Sequence, residues 1–134
     1  VQKVASLPAA IATMEFNDTG LCGSRAMFDA RCFNLPKEEV TNFFVWRQQD
    51  WTRNSIQMLA RSMYTQKEIQ GKEQPQMHEM MFTKGVNWND LPTHLRRGSC
   101  AVKGEDGWTV DTEIPIFTQD RRYIQRFVDV EPID

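Results

Sequence analysis

Long apolar runs are absent from this sequence of 134 residues. The longest reach only four residues, as at positions 43–46, so the sequence offers neither a membrane-spanning segment nor the apolar core of a signal peptide. Glycine and proline are sparse, at seven and six residues, which excludes collagen-like and low-complexity chains. The rest of the composition, 40% hydrophobic and 25% charged, is typical of one globular domain.

Paired cysteines are absent as well. Cys22, Cys32 and Cys100 lie far apart without a CxxC motif, and their odd number favours free thiols in a reducing, cytoplasmic compartment. His78 and His94 are equally isolated, so the spacing of potential ligands does not favour a zinc site. The sequence contains no Walker A, GxGxxG, HExxH or GxSxG motif. We therefore predict no metal site in this chain.

Charge is unevenly distributed along the chain. The formal net charge is −2, but residues 1–104 carry a balance of +3 and residues 105–134 a balance of −5. A basic body followed by an acidic segment is compatible with a polyanionic partner, and equally with an ordinary mixed surface.

The apolar pattern and the turn signals predict helices and strands in irregular order. We expect helices at Lys3–Phe16, Val40–Tyr64, Gln76–Phe82 and Leu91–Arg97, a strand at Met27–Leu35, and a hairpin of Cys100–Lys103 with Trp108–Ile114. Pro8 is tolerable only near the start of the first helix or as a kink. Because there is no regular βαβ alternation, this order predicts an α+β fold with an antiparallel sheet and a long packed helix.

The predicted helix Val40–Tyr64 has two different faces at about 100° per residue. The face expected to pack carries Val45, Ile56, Leu59 and Met63. The roughly opposite ridge carries Arg47, Asp50, Asn54, Gln57 and Arg61. An arginine held by a neighbouring aspartate binds phosphate well, because its planar group makes paired hydrogen bonds. The other interpretation is a solvated face with weak local ion pairs.

Aromatic and basic residues near this ridge have two interpretations each. Trp46 and Trp51 flank the ridge, and we expect them in the core, with stacking on bases as the alternative. Arg97 ends a short helix, where a cation offsets the helix dipole without any ligand. Arg31 follows Asp29 by two residues on the predicted strand, so the two side chains point the same way and can pair.

Six blocks of residues occur in order over about residues 1 to 128. They are Phe28-Asp29-Ala30-Arg31 with Leu35-Pro36 and Glu39-Val40, Trp46-Arg47-Gln48-Gln49-Asp50, Arg53-Asn54-Ser55-Ile56-Gln57, Gly85-Val86-Asn87-Trp88-Asn89-Asp90-Leu91-Pro92, Arg97-Gly98, and Val110-Asp111-Thr112-Glu113-Ile114-Pro115-Ile116-Phe117. Together they resemble the tRNA-His guanylyltransferase family. The pattern is most similar to its bacterial and phage guanylyltransferase-like branch, whose members are 3′–5′ polymerases.

The resemblance implies template-directed addition of nucleotides to the 5′ end of tRNA or another RNA. A nucleoside triphosphate, ATP or GTP, activates the RNA 5′-monophosphate, and the 3′-hydroxyl of the incoming nucleotide then attacks it. Two Mg²⁺ ions would stabilise the attacking and leaving oxygens, while arginines neutralise phosphate charge. On this resemblance Arg31, Arg47, Asn54 and Arg97 are the expected substrate and phosphate contacts.

Two features depart from the family pattern. The run Thr52-Arg53-Asn54-Ser55 stands where the eukaryotic branch has His-Ile-Asn-Asn. Thr52 therefore occupies the position used to recognise the His anticodon, which argues against anticodon-selective guanylylation. The metal-binding carboxylates of the family lie in an Asp-Gly-Arg and a Ser-Asp-Glu segment, both of which would precede the first helix here, and neither occurs in this chain.

These departures, and a chain that begins at Val1 without an initiator methionine, lead us to expect a fragment. Residues 1–134 would be the C-terminal portion of a palm-containing nucleotidyltransferase, with its Mg²⁺ ligands outside this chain and no catalytic residue within it. Such a chain would be inactive unless joined to, or assembled with, its N-terminal palm half. The alternative is a non-catalytic RNA-binding or regulatory subunit with the same fold.

The opening segment predicts an association surface. Val4, Leu7, Ile11 and Met14 recur at helical spacing, and exposed apolar surface of this kind marks a site of association. We expect the chain to be found with its palm half, with a second copy, or with both. The resemblance implies a homo-oligomer too, because family members assemble as dimers of dimers.

Overall fold

A computed structural model describes residues 2–129, which belong to two compact units, Val1–Pro36 and Lys37–Asp134. Val1 and the last five residues of the acidic segment lie outside the described part. The helix predicted for the first unit is confirmed as α1, Gln2–Asp18, and it continues through Pro8.

The strand predicted at Met27–Leu35 is wrong, because the backbone there forms no regular element. The hydrogen bonds that begin this segment go to side chains of α1 instead of to another strand. The Ala26 N–H donates to Asn17 Oδ1 at 2.9 Å, and the Phe28 N–H donates to Thr13 Oγ1 at 3.1 Å. Since no strand of residues 2–129 runs alongside this segment, its alternating apolar residues do not form a β-ladder.

The second unit consists mainly of short helices around one long helix. Its elements are α2 (Val40–Met63), α3 (Gln66–Ile69), α4 (Gln74–Thr83), α5 (Thr93–Arg97), β1 (Cys100–Gly104), β2 (Gly107–Asp111) and α6 (Arg122–Val128), with 3₁₀ turns at Lys37–Glu39 and Trp88–Asp90. None of the helices in residues 2–129 is both long and apolar enough to cross a membrane.

The predicted hairpin is confirmed, with β1 and β2 antiparallel and Cys100 opposite Asp111. The second strand ends at Asp111, three residues earlier than predicted, because the carboxylate of Asp111 accepts a hydrogen bond from the Glu113 N–H and turns the chain. Helices together with this two-stranded sheet confirm the α+β prediction.

Helix α2 joins two apolar clusters, and the face predicted to pack does so. Ile56 is buried in the first cluster, where α2 meets α3, α4 and Trp88, and Leu59 and Met63 pack against it. Val45, more than two turns earlier, packs against the second cluster, which is built from Ile114, Phe117 and Ile124. The opposite ridge is therefore held at the surface along its length.

Candidate functional site: two arginine-lined grooves beside α2

A carboxylate on α2 organises the basic ridge. Asp50 Oδ2 accepts hydrogen bonds from Arg47 Nη1 at 3.3 Å and from Asn54 Nδ2 at 3.4 Å, while its Oδ1 accepts one from Arg53 Nη2. The side chain of Asp50 is only 19% exposed, whereas those of Arg47 and Arg53 are 52% and 56% exposed. One shielded carboxylate thus orients two solvent-facing guanidinium groups.

The first groove is a cavity of about 550 Å³ that lies between α2 and the chain following α5. Two of the arginines predicted as phosphate contacts, Arg47 and Arg97, share its wall although they are fifty positions apart. Its remaining lining combines aromatic, apolar and polar groups, including Phe44, Trp51, His94, Ser99 and Phe117. Among the described residues no carboxylate lines it, so the groove offers positive charge to an anionic ligand.

The end of α5 fixes Arg97 and shapes this groove. The guanidinium of Arg97 donates from Nη1 to the carbonyl of Ile114 at 3.3 Å, which leaves further N–H groups for a ligand. Gly98 follows with φ = +87°, a conformation that favours glycine, and a Cβ there would lie 3.7 Å from the ring of Trp51. Glycine therefore allows the chain to turn directly beside the tryptophan.

The second groove, about 440 Å³, adjoins the first, because Gln48 and Arg97 line both. Its basic residues are Arg53, Arg96 and Arg97, and amide or hydroxyl groups of Gln49, Thr52, Gln74, Asn89 and Thr118 complete most of its wall. As in the first groove, the described lining contains no carboxylate.

Hydrogen bonds from α2 position α5 between the grooves. Thr52 Oγ1 donates to the carbonyl of Arg96 at 3.2 Å, and Ser55 Oγ donates to the carbonyl of Leu95 at 2.6 Å. Ser55 in turn accepts from Trp88 Nε1 at 3.0 Å. These bonds satisfy carbonyls at the C-terminal end of a five-residue helix, which otherwise lack partners.

Gln48 fixes residues 115–117, which contribute to the walls of both grooves. It is 8% exposed, and its side chain donates from Nε2 to the carbonyl of Pro115 and accepts from the N–H of Phe117, both at 2.8 Å. The amide thereby fixes residues 115–117 against α2 at the point where the two grooves meet.

The carboxylates near the grooves do not suit a Mg²⁺ ion. Asp50 already accepts from three side chains. Asp111 accepts from the Tyr123 hydroxyl at 2.7 Å, and this bond and the one from the Glu113 N–H hold the pKa of the Asp111 carboxyl below its usual value. Within residues 2–129 no three His, Cys, Asp or Glu side chains come together. The described residues therefore do not fit the Mg²⁺ site that the resemblance implies.

Burial also shifts the pKa values of two residues next to Asp111, Tyr123 and Cys100. Burial and the hydrogen bond to Asp111 raise the pKa of the Tyr123 hydroxyl strongly. Burial, followed by the negative charge of Asp111, also raises the pKa of the Cys100 thiol. This cluster is a hydrogen-bonded support for the hairpin and not a source of a reactive thiolate.

The structure gives the four predicted contact residues different surroundings. Arg47 and Arg97 share the first groove, and Asn54 is exposed beside Asp50, outside the described linings of both grooves. Arg31 belongs to the first unit and is almost fully exposed, 3.6 Å from Asp29. The predicted pairing of Arg31 with Asp29 is confirmed, but it occurs without a strand.

Two aromatic residues are placed differently from the prediction. Trp46 and Trp51 are 54% and 50% exposed, so the expectation that they belong to the core is wrong. The core tryptophan is Trp88, which follows α4 in a 3₁₀ turn. Ile56 and Ala60 are the residues of α2 that are buried in the first cluster. Trp46 and Trp51 lie on other sides of the helix and remain exposed.

Three groove residues were missed by sequence reasoning. Arg53 is three positions from Asp50, and that helical spacing could have identified it. Arg96 and Gln48 enter the site only through the packing of α5 and of residues 115–117 on α2, and no spacing in the sequence indicates this.

Known proteins similar to this chain are found among solved structures. A bacterial tRNA(His) guanylyltransferase-like protein in complex with ATP has 42% sequence identity and a TM-score of 0.88, covering 96% of this chain and 58% of that one. A second such bacterial protein, in complex with GTP, has 38% identity and a TM-score of 0.79, covering 97% of this chain and 56% of that one. No protein-family profile and no curated protein matches the chain.

The chain thus spans little more than half the length of these structures. Identity of this level over nearly the whole chain, with the same fold, confirms the resemblance predicted from the sequence. In sequence and in fold this chain corresponds to a part of the bacterial guanylyltransferase-like proteins, and it belongs to the tRNA-His guanylyltransferase-like family.

Proposed function

We propose that this chain is the C-terminal portion of an enzyme that adds nucleotides to the 5′ end of tRNA under the direction of a template strand. Within that enzyme, this chain would bind the phosphates and the RNA. The observation that carries the proposal is the first groove, where Arg47 and Arg97 face one cavity whose described lining contains no carboxylate. The similar bacterial proteins were solved with ATP and GTP, which supports nucleoside triphosphates as substrates.

In this proposal the groove acts by binding and by neutralising charge. Asp50 orients Arg47, and the carbonyl of Ile114 orients Arg97, so that neither guanidinium has to be ordered when the ligand arrives. Phosphate oxygens accept from the remaining N–H groups, and the positive charge stabilises negative charge that develops during nucleotidyl transfer. The Mg²⁺ ions of the reaction would be held by residues outside this chain.

Asn54 and Arg31 have different places in the proposal. Asn54 donates a hydrogen bond to Asp50 and thereby supports the Arg47–Asp50 pair. Because Asn54 lies outside both described groove linings, it would contact a ligand on the exposed surface of α2. Arg31 is a separate phosphate contact on the first unit, held by Asp29. We propose both as contacts of the RNA backbone, in a cytoplasmic, reducing compartment.

The partners follow from the same proposal. Val4, Leu7, Ile11 and Met14 are all more than half exposed on α1, and such a row of apolar side chains favours contact with the palm half, with a second copy, or with both. Light scattering on the purified chain is expected to show association. A monodisperse monomer at all concentrations tested would contradict this part of the proposal.

The experiment that tests the activity compares the chain alone with the chain joined to a palm half. Alone, with a 5′-truncated tRNA, nucleoside triphosphates and Mg²⁺, we expect no addition. Joined, we expect addition that Arg47→Gln reduces roughly ten- to a hundredfold, because a charge-assisted phosphate contact contributes about 1.5–3 kcal/mol. Arg61→Gln, on the same helix but outside both groove linings, is the matched control.

The same experiment distinguishes the proposed enzyme from the alternative function. A non-catalytic RNA-binding or regulatory subunit would bind tRNA with the same dependence on Arg47 but would add no nucleotide when joined to a palm half. Unchanged addition by a well-folded Arg47→Gln variant would return the ridge to a solvated face with local ion pairs.

A further inference from the structure

The two grooves meet at a shared boundary rather than standing apart. Gln48 and Arg97 line both, with Arg47 on the side of the first groove and Arg53 on the side of the second. Asp50 lies between these two arginines and contacts both. The two grooves therefore adjoin at Gln48 and Arg97, with basic side chains on both sides of the boundary.

The chemistry of the two linings suits a polyanion with planar groups. Arg47, Arg53, Arg96 and Arg97 line the pair of grooves. Asp50, which pairs with Arg47 and Arg53, is largely shielded. Phosphates of a nucleic acid strand repeat at each nucleotide, and arginines in both grooves can each bind a phosphate.

Exposed aromatic surface accompanies the positive charge in the first groove. Phe44 and Trp51 are 41% and 50% exposed, although Gly98 lies against part of the Trp51 ring. Bases of a single strand have free faces that stack on such rings, whereas the bases of a duplex are stacked on one another. The second groove offers the amides of Gln49, Gln74 and Asn89 instead, which hydrogen-bond to base edges.

We propose that the two grooves form one continuous track for single-stranded RNA, with one nucleotide in each groove and the connecting phosphate at Arg97. This rests on the proposed function, in which the first groove holds a phosphate-bearing ligand, and extends it to a second nucleotide position. The strand bound here is single-stranded because both grooves use unpaired base faces or edges.

The test is isothermal titration calorimetry of the full chain with uridine 5′-monophosphate and with a 5′-phosphorylated tetrauridylate. We expect the tetranucleotide to bind at least tenfold more tightly. Arg53→Gln should remove most of that advantage and lower the slope of log affinity against log salt by about 0.7, the contribution of one phosphate of a single strand. It should leave the affinity for the monophosphate within twofold, because the first groove is intact.

Two further variants make the result specific. Arg53→Lys keeps the charge, so the salt slope should return towards that of the unmodified chain. Arg61→Gln, an arginine of the same helix outside both described linings, should change neither affinity nor slope.

Three results would refute the proposal that the two grooves form one track for single-stranded RNA. They are equal affinity for the two ligands, an Arg53→Gln variant with unchanged tetranucleotide binding, and a short RNA duplex that binds more tightly than the single strand. If the monophosphate still binds in an Arg47-dependent manner, the proposed function stands and only the second nucleotide position fails. If neither ligand binds, both proposals fail.

Discussion

Gln48 is the residue whose replacement tests the architecture of the site most directly. Its buried amide makes two hydrogen bonds of 2.8 Å, donating to the Pro115 carbonyl and accepting from the Phe117 N–H. In Gln48→Leu the side-chain volume stays similar, so the main effect is the loss of both partners and not a cavity. The variant therefore isolates the contribution of the hydrogen bonds.

The expected loss follows from which partners remain buried. The Phe117 N–H lies in the interior and would have no acceptor, which costs about 1–3 kcal/mol, while the partly exposed Pro115 carbonyl can regain water at a cost nearer 1 kcal/mol. We expect the free energy of unfolding to fall by about 2–4 kcal/mol, a large part of the roughly 5–15 kcal/mol typical of a domain.

Urea unfolding followed by tryptophan fluorescence measures this loss. With an m-value of about 1–3 kcal/mol per molar urea, the midpoint should fall by roughly 0.7–4 M at unchanged m. Gln49→Leu is the matched control, because the neighbouring amide is exposed and should change stability by less than about 0.5 kcal/mol. A Gln48→Leu midpoint no lower than that of the control would refute the role assigned to the buried amide.

Two further predictions concern titratable groups in different parts of the chain. The hydrogen bond from Tyr123 lowers the pKa of Asp111 in the folded state, so its stabilisation is present above the ordinary value of 3.8 and is lost as the pH falls through the lower folded value. Tyr123→Phe should lower the free energy of unfolding in urea by about 0.5–1.5 kcal/mol at pH 7. This loss of stability should be smaller at pH values below 3.8. An equal loss at the two pH values would show that packing, and not the hydrogen bond, is responsible. Cys22 and Cys32 are exposed while Cys100 is partly buried with a raised pKa, so a thiol reagent near pH 8 should modify two cysteines quickly and the third slowly. Three equal rates would contradict the packing of the hairpin.

Local patterns were sufficient for four helices of this protein, α1, α2, α4 and α5, and for one face of the longest, whereas α3 and α6 were not predicted. The spacing of Ile56, Leu59 and Met63 predicted the packed side of α2, because side chains three and four residues apart share a helix face whatever lies opposite. The Arg47–Asp50–Asn54 contacts were predictable for the same reason. Strand prediction at Met27–Leu35 failed because a strand also needs a neighbouring strand, which that unit does not supply in its described residues.

What the sequence by itself determined is the family, the α+β class, the long helix and its basic ridge, since ordered blocks and helical periodicity are properties of the chain alone. Only the tertiary structure decided that Arg47 and Arg97 face one groove, that Trp51 is exposed while Trp88 is buried, and that Gln48 joins the walls. Each of these depends on where α5 and residues 115–117 dock on α2. That docking arises from contacts between residues more than forty positions apart, such as Thr52 with Arg96 and Gln48 with Phe117, which no local pattern specifies.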